Sequence, residues 1–74
     1  MKIQITYCAE CAESDQAIDL ARKMLARHDE DIETLTIVPG DFGVFDVEVD
    51  GKLVFSKDKA GRFPSYDEIA TSLA

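Results

Sequence analysis

Hydrophobic periodicity changes from strand to helix and back within the first half of this chain, and that succession limits its folds more than any other feature. Ile3, Ile5 and Tyr7 alternate with Gln4 and Thr6, the two-residue period of a half-buried strand ending at Cys8. Ala17, Ile18, Leu20, Ala21, Met24 and Leu25 then recur at helical spacing, with Glu13, Asp15, Gln16, Asp19, Arg22 and Lys23 on the other face. This predicts a helix from about Glu10 to about Arg27. His28-Asp29-Glu30-Asp31 breaks the pattern as a solvated loop, and Ile32 to Val38, rich in β-branched residues, predicts a second strand that Pro39-Gly40 ends. Strand, helix and strand joined by short links favour a right-handed crossover with the two strands parallel, which puts Cys8 and Cys11 at the carboxyl end of the first strand.

Val44 to Val49 and Lys52 to Ser56 form a hairpin about Asp50-Gly51. Parity distinguishes its registers. A two-residue loop sets Val49 opposite Lys52 and Val47 opposite Val54, leaving Leu53 and Phe55 on the face of Asp46 and Glu48. A three-residue loop, Val49-Asp50-Gly51, instead pairs Val47 with Leu53, Phe45 with Phe55 and Glu48 with Lys52, and is the expected form. Ser65-Tyr66-Asp67-Glu68 has capping-box spacing and opens a last helix that buries Ile69, Ala70 and Leu73. The expected order is β-α-β-β-β-α, an α/β fold with a mixed four-stranded sheet and two helices. With 74 residues it is one domain, and a chain this short buries only ~60% of its unfolded surface, so every apolar face is needed for the core.

Fifteen acidic residues against 8 basic ones give a formal charge of −7, a field that repels phosphate backbones and anionic membrane surfaces. Nucleic acid and membranes are therefore not expected partners. No apolar stretch approaches the ~20 residues that span a bilayer, and the segment from Met1 to Thr6 lacks the apolar core of a signal peptide, so a cytoplasmic location is expected. Two cysteines are too few for the disulfide framework of a small secreted domain, and in a reducing compartment a close pair points to redox or metal chemistry.

A cysteine at a strand's end and another in the first turn of a helix meet unpaired backbone amides and the positive end of the helix dipole, both of which favour a thiolate. In such motifs the first thiol's pKa falls from ~8.5 to between about 3.5 and 7.5. Cys8, taken as the more exposed sulfur, is the expected attacking group and Cys11 the resolving one, with Glu10 between them opposing the thiolate and moderating the shift. A soft-metal carrier is the competing reading, because two thiolates suffice for Cu(I) and fill half of a zinc site. A binding module switched by disulfide formation, without turnover, is a further alternative.

Other residues carry less. His28 is expected to be a solvated residue near a helix C-terminus, Pro39 part of a plain turn, and Lys57-Asp58-Lys59 a solvated loop. Phe45, Phe55, Phe63 and Tyr66 are expected in the core. Phe42, between Asp41 and Gly43, is the aromatic read as exposed near the cysteine pair, and Phe42 with Gly43 forms a candidate partner surface; Gly43 is read as needing backbone freedom or close approach. No cofactor is expected, and no metal site is assigned.

The motifs I-x-Y-C-x-x-C at Ile5 to Cys11, V-P-G-x-x-G-V-F-x-V-x-V-D-G-x-L-V at Val38 to Val54, and G-x-F-P at Gly61 to Pro64 together resemble the selenoprotein W-like, or Rdx, family. The resemblance covers nearly the whole chain. It implies a thioredoxin-like two-layer α/β sandwich and a redox-active C-x-x-C, in which Cys11 stands where some relatives carry selenocysteine. The expected function is thiol-disulfide exchange, as a candidate oxidoreductase in cell redox homeostasis, with protein or low-molecular-weight thiols of a thioredoxin or glutathione system as partners. The chain departs from the family pattern at Phe42, where relatives often look like Gly-Gly.

Overall fold

In the structure, a computed structural model that describes residues 1–73, four strands form one mixed sheet. Strand β1 (Lys2–Cys8) is followed by helix α1 (Ser14–His28) and strand β2 (Thr34–Gly40), then by β3 (Phe45–Val49) and β4 (Lys52–Ser56). Two short helices, α2 (Lys57–Ala60) and α3 (Tyr66–Ala70), complete the described chain. The order across the sheet is β2-β1-β3-β4, with β1 parallel to β2 and antiparallel to β3, and β3 antiparallel to β4. The parallel crossover read from periodicity is therefore present, and β1 is a central strand. One face of the sheet carries the core, where Ile3, Ile5, Phe45, Val47 and Val49 meet Ala17, Leu20, Ala21 and Met24 of α1 and Ile69 and Leu73 beyond it.

Several boundaries differ from the sequence reading for physical reasons. Helix α1 begins at Ser14, not near Glu10, because Ala12 takes a left-handed conformation (φ 56°) and separates the 3-10 turn Ala9–Cys11 from the helix. Cys11 thus closes that turn and does not lie in the first turn of α1. Ile18 and Leu25 remain 44% and 40% exposed, since the buried stripe of α1 runs through Ala17, Leu20, Ala21 and Met24 and leaves both to its side. Strand β2 runs through Pro39 and Gly40, which pair with Tyr7 and Cys8, so the expected turn there is strand. Proline is tolerated because β2 is an edge, where its missing N–H costs no ladder bond.

The hairpin corrects the register argument. Val49 stands opposite Lys52 around a two-residue turn, with both Asp50 (φ 52°) and Gly51 (φ 80°) left-handed, as a type I′ turn requires. Asp50 is held there by long-range contacts: its carboxylate accepts from the Lys2 amide at 2.8 Å, and its own amide donates to the Lys2 carbonyl at 2.8 Å. The parity problem is resolved inside β4. Glu48 pairs with Leu53 but Val47 pairs with Phe55, so Val54 is an extra residue in a bulge. Leu53 faces outward at 44% exposure, while Phe55 packs against the core.

The C-terminal part follows expectation at its start. Ser65 caps α3, its hydroxyl accepting from the Glu68 amide while the Glu68 carboxylate accepts from the Ser65 amide. Lys57-Asp58-Lys59 is not a loop but most of α2, closed by Gly61, whose amide donates to the Lys57 carbonyl at 2.7 Å. His28 is half-buried and shares a hydrogen bond of 2.5 Å with the Tyr66 hydroxyl, tying the end of α1 to α3 where a solvated side chain was expected.

Candidate redox site

Both sulfurs of the C-x-x-C segment are joined in a disulfide, with Cα atoms 5.3 Å apart across the single 3-10 turn. That separation lies within the ordinary range for a disulfide, so the turn closes the bond without backbone movement. Cys8 is the last residue of β1 and is wholly inaccessible, at 0% exposure, whereas Cys11 is partly exposed and flanked by exposed Glu10 and Ala12. The expectation that the first sulfur is the more exposed is thereby reversed. No local signal in Y-C-A-E-C-A announces this, because the burial of a residue at the end of a central strand depends on the strands that flank it.

Sheet order brings residues from far along the chain to the same end of β1. Gly40 pairs with Cys8 on one side of β1 and Phe45 pairs with Tyr7 on the other, so residues 41–44 must cross the end of β1 where Cys8 lies. Strands lie about 4.8 Å apart, so four residues span two such gaps with length to spare, which is taken up in a turn. The Val44 amide donates to the Asp41 carbonyl at 3.2 Å, and Gly43 is left-handed at φ 82° with open space where a Cβ would project, so freedom and not close approach is what it supplies. Gly40 is the reverse case: a Cβ there would stand 2.6 Å from the Thr6 Cγ2 and 3.0 Å from the Val44 Cγ1. Phe42 projects from the crest of this connection at 80% exposure. It stands on the connection that crosses the end of β1, outside the core that holds Phe45, Phe55, Phe63 and Tyr66.

At the start of α1 lies a pair that sequence reasoning missed. Glu13, two residues after Cys11, turns its carboxylate to Lys57 at 3.3 Å, and the two side chains are 15% and 26% exposed. The other carboxylate oxygen, Oε2, is buried with no hydrogen-bond partner. The Lys57 ammonium also lies 4.3 Å from the centre of the Phe63 ring, which meets Phe45 edge-on at 5.3 Å. A cation on an aromatic face and an edge-to-face aromatic pair thus link the helix start to the neighbour of Tyr7. Forty-four residues separate Glu13 from Lys57, and nothing in local spacing could have joined them.

A recess of about 500 Å³ beside the connection is lined by Phe42, Gly43, Val44, Asp46, Ser56 and Asp58. Another, of about 550 Å³, lies between α1 and α3, and neither cysteine lines it. Among the described residues no three His, Cys, Asp or Glu side chains gather as metal ligands, and no helix is long and apolar enough to cross a membrane.

The sequence profile described as the Rdx family matches residues 2–74. Among solved structures, a crystal structure of a protein from Bordetella parapertussis superposes with a TM-score of 0.90 at 27% identity, covering 95% of this chain and 89% of that one. The crystal structure of a selenoprotein W-related protein from Vibrio cholerae gives a TM-score of 0.89 at 22% identity, covering 99% of this chain and 96% of that one. Among curated proteins none matches the chain significantly in sequence.

Proposed function

Because this chain belongs to the Rdx family, we propose that it is a small thiol-disulfide oxidoreductase whose exchange enters at Cys11 and is resolved by Cys8. The observation that carries this reading is the closed Cys8–Cys11 bond, with Cys8 fully buried and Cys11 partly exposed. Exchange requires a thiolate to approach one sulfur along the bond being broken, so the buried sulfur cannot meet a partner while the fold is intact.

In the reducing direction the Cys11 thiolate attacks a substrate disulfide, forming a Cys11–substrate disulfide and expelling the other half as a thiolate. The Cys8 thiolate then attacks the Cys11 sulfur, closes the Cys8–Cys11 bond and releases the second half. Two electrons pass from the protein dithiol to the substrate, and the two protons given up by the cysteines are taken up by the product thiolates. A cytoplasmic thiol or dithiol of the thioredoxin or glutathione class then resets the pair by the reverse route.

Single-cysteine variants test the order of events. Cys8→Ser is expected to accumulate a mixed disulfide at Cys11 with a small disulfide, and Cys11→Ser to leave Cys8 slow to alkylate until the protein is unfolded. Trapping at Cys8 in Cys11→Ser, with none at Cys11 in Cys8→Ser, overturns the assignment. A midpoint potential between about −270 and −120 mV in thiol buffers supports exchange, and one below about −300 mV marks the bond as structural.

A further inference from the structure

The connection between β2 and β3 does more than cross the end of β1. Phe42 is the most exposed large apolar side chain among the described residues, and it is held outward by a hydrogen-bonded turn across the end of the strand that carries Cys8. An exposed aromatic on an ordered turn loses little conformational freedom when a partner covers it. The recess at its foot is lined by two carboxylates, Asp46 and Asp58, and by no cation, with Asp41 exposed beside it. Lys57, the nearest basic residue to Asp58 in the chain on one side, is turned inward to Glu13, while Lys59 on the other side is exposed but does not line the recess.

We propose that this surface selects the substrate of the exchange: a protein segment whose reacting cysteine is flanked by an apolar side chain, which covers Phe42, and by lysine or arginine, which face Asp41, Asp46 and Asp58. The proposal rests on the exchange chemistry above and adds the substrate class. Anionic low-molecular-weight disulfides meet a chain of formal charge −7 and gain nothing from Phe42. Basic segments are drawn toward the same field, and oppositely charged surfaces raise association rates by roughly 10-fold to 1,000-fold at low salt. The covalent step is unchanged: the Cys11 thiolate displaces one half of the substrate disulfide, and Cys8 releases the other.

The test uses the full chain, reduced with dithiothreitol and desalted, and three probes that each carry thionitrobenzoate on a cysteine through a disulfide. One is a peptide with leucine and lysine flanks, one has leucine and glutamate flanks, and the third is N-acetylcysteine amide. Released thionitrobenzoate reports attack on each. The basic peptide is expected to react about tenfold faster than the amide at low ionic strength, and the advantage to shrink as added salt shortens the screening length from about 30 to about 8 Å. In Phe42→Ala the rate ratio of basic peptide to amide should fall by roughly threefold to fivefold, leaving the salt-dependent part that the carboxylates supply. Asp58→Lys should invert the preference between the basic and acidic peptides. If the amide reacts but the two peptides react alike, or the ratio survives Phe42→Ala, the substrate proposal is overturned and the exchange reading stands. If the amide itself releases no thionitrobenzoate, the exchange reading falls and this proposal with it.

Discussion

Replacing Lys57 by methionine isolates the charge that Glu13 depends on. The methionine stem keeps much of the contact with Phe63, so the main loss is the cation 3.3 Å from the Glu13 carboxylate. That carboxylate already has one buried oxygen without a partner, and the substitution leaves the second one unpaired as well. Breaking a fully buried ion pair costs about 3–5 kcal/mol, and breaking an exposed one about 0–1. With Glu13 15% and Lys57 26% exposed, the pair lies nearer the buried limit, and discounting for the solvent that still reaches both gives about 2 kcal/mol. For a domain of this size that is a fall in Tm of about 8–16 °C. Urea unfolding followed by circular dichroism gives the free energy directly. The double-mutant cycle with Glu13→Gln isolates the pair, because the double variant buries no unpaired charge and should recover most of the loss. A coupling energy below about 0.5 kcal/mol, or a double variant less stable than Lys57→Met, refutes the reasoning.

Four further outcomes follow from features already described. Gly40→Ala should destabilise by about 1–3 kcal/mol through overpacking against Thr6 and Val44, and Thr6→Ser should restore part of it, read from urea midpoints. Reduction of the Cys8–Cys11 bond should lower stability by no more than about 2 kcal/mol, the chain-entropy value for so short a loop, measured by unfolding with and without dithiothreitol. Asp50→Ala removes the acceptor for the Lys2 amide and a residue that tolerates the left-handed turn, and should cost about 1–2 kcal/mol by thermal unfolding. The Arg62 guanidinium, with a further bond from the Ser65 amide, holds the Glu68 carboxyl down to about 2. Its stabilisation is therefore present above the ordinary value of 4.5 and is lost as pH falls toward about 2, so an acid titration of Glu68→Gln should lack that part of the wild-type decline.

The legible part of the fold was the part encoded locally. Alternation at Ile3, Ile5 and Tyr7, the helical stripe through Leu20 and Met24, and the Ser65–Glu68 box each need only neighbouring residues to express themselves, and each appears as read. What escaped depended on residues distant in sequence or on backbone states that side chains do not advertise. Alanine has no preference for left-handed φ, so nothing at Ala12 announced the break before α1. The hairpin argument assumed an unbroken ladder, and Val54 relieved the parity conflict by bulging out of it. At the site, the pairing of Cys8 with Cys11 and the exposure of Phe42 were legible from spacing and from flanking polar residues. Their relative accessibility was not, because Cys8 is covered through a sheet order that β2 and β3 impose from either side.

That sheet order also governs when the chemistry becomes private. Strand β1 is central, yet both of its neighbours come later in the chain: Ile5 must find Ile37 and then Val47 before the middle of the sheet exists. Contacts so distant in sequence form late and slowly compared with the turn that brings Cys11 next to Cys8. In the unfolded chain, therefore, both thiols lie within one turn of each other and neither is enclosed, open to any oxidant present. Once residues 41–44 cross the end of β1, Cys8 is withdrawn, and whatever bond it holds at that moment is carried into the native protein.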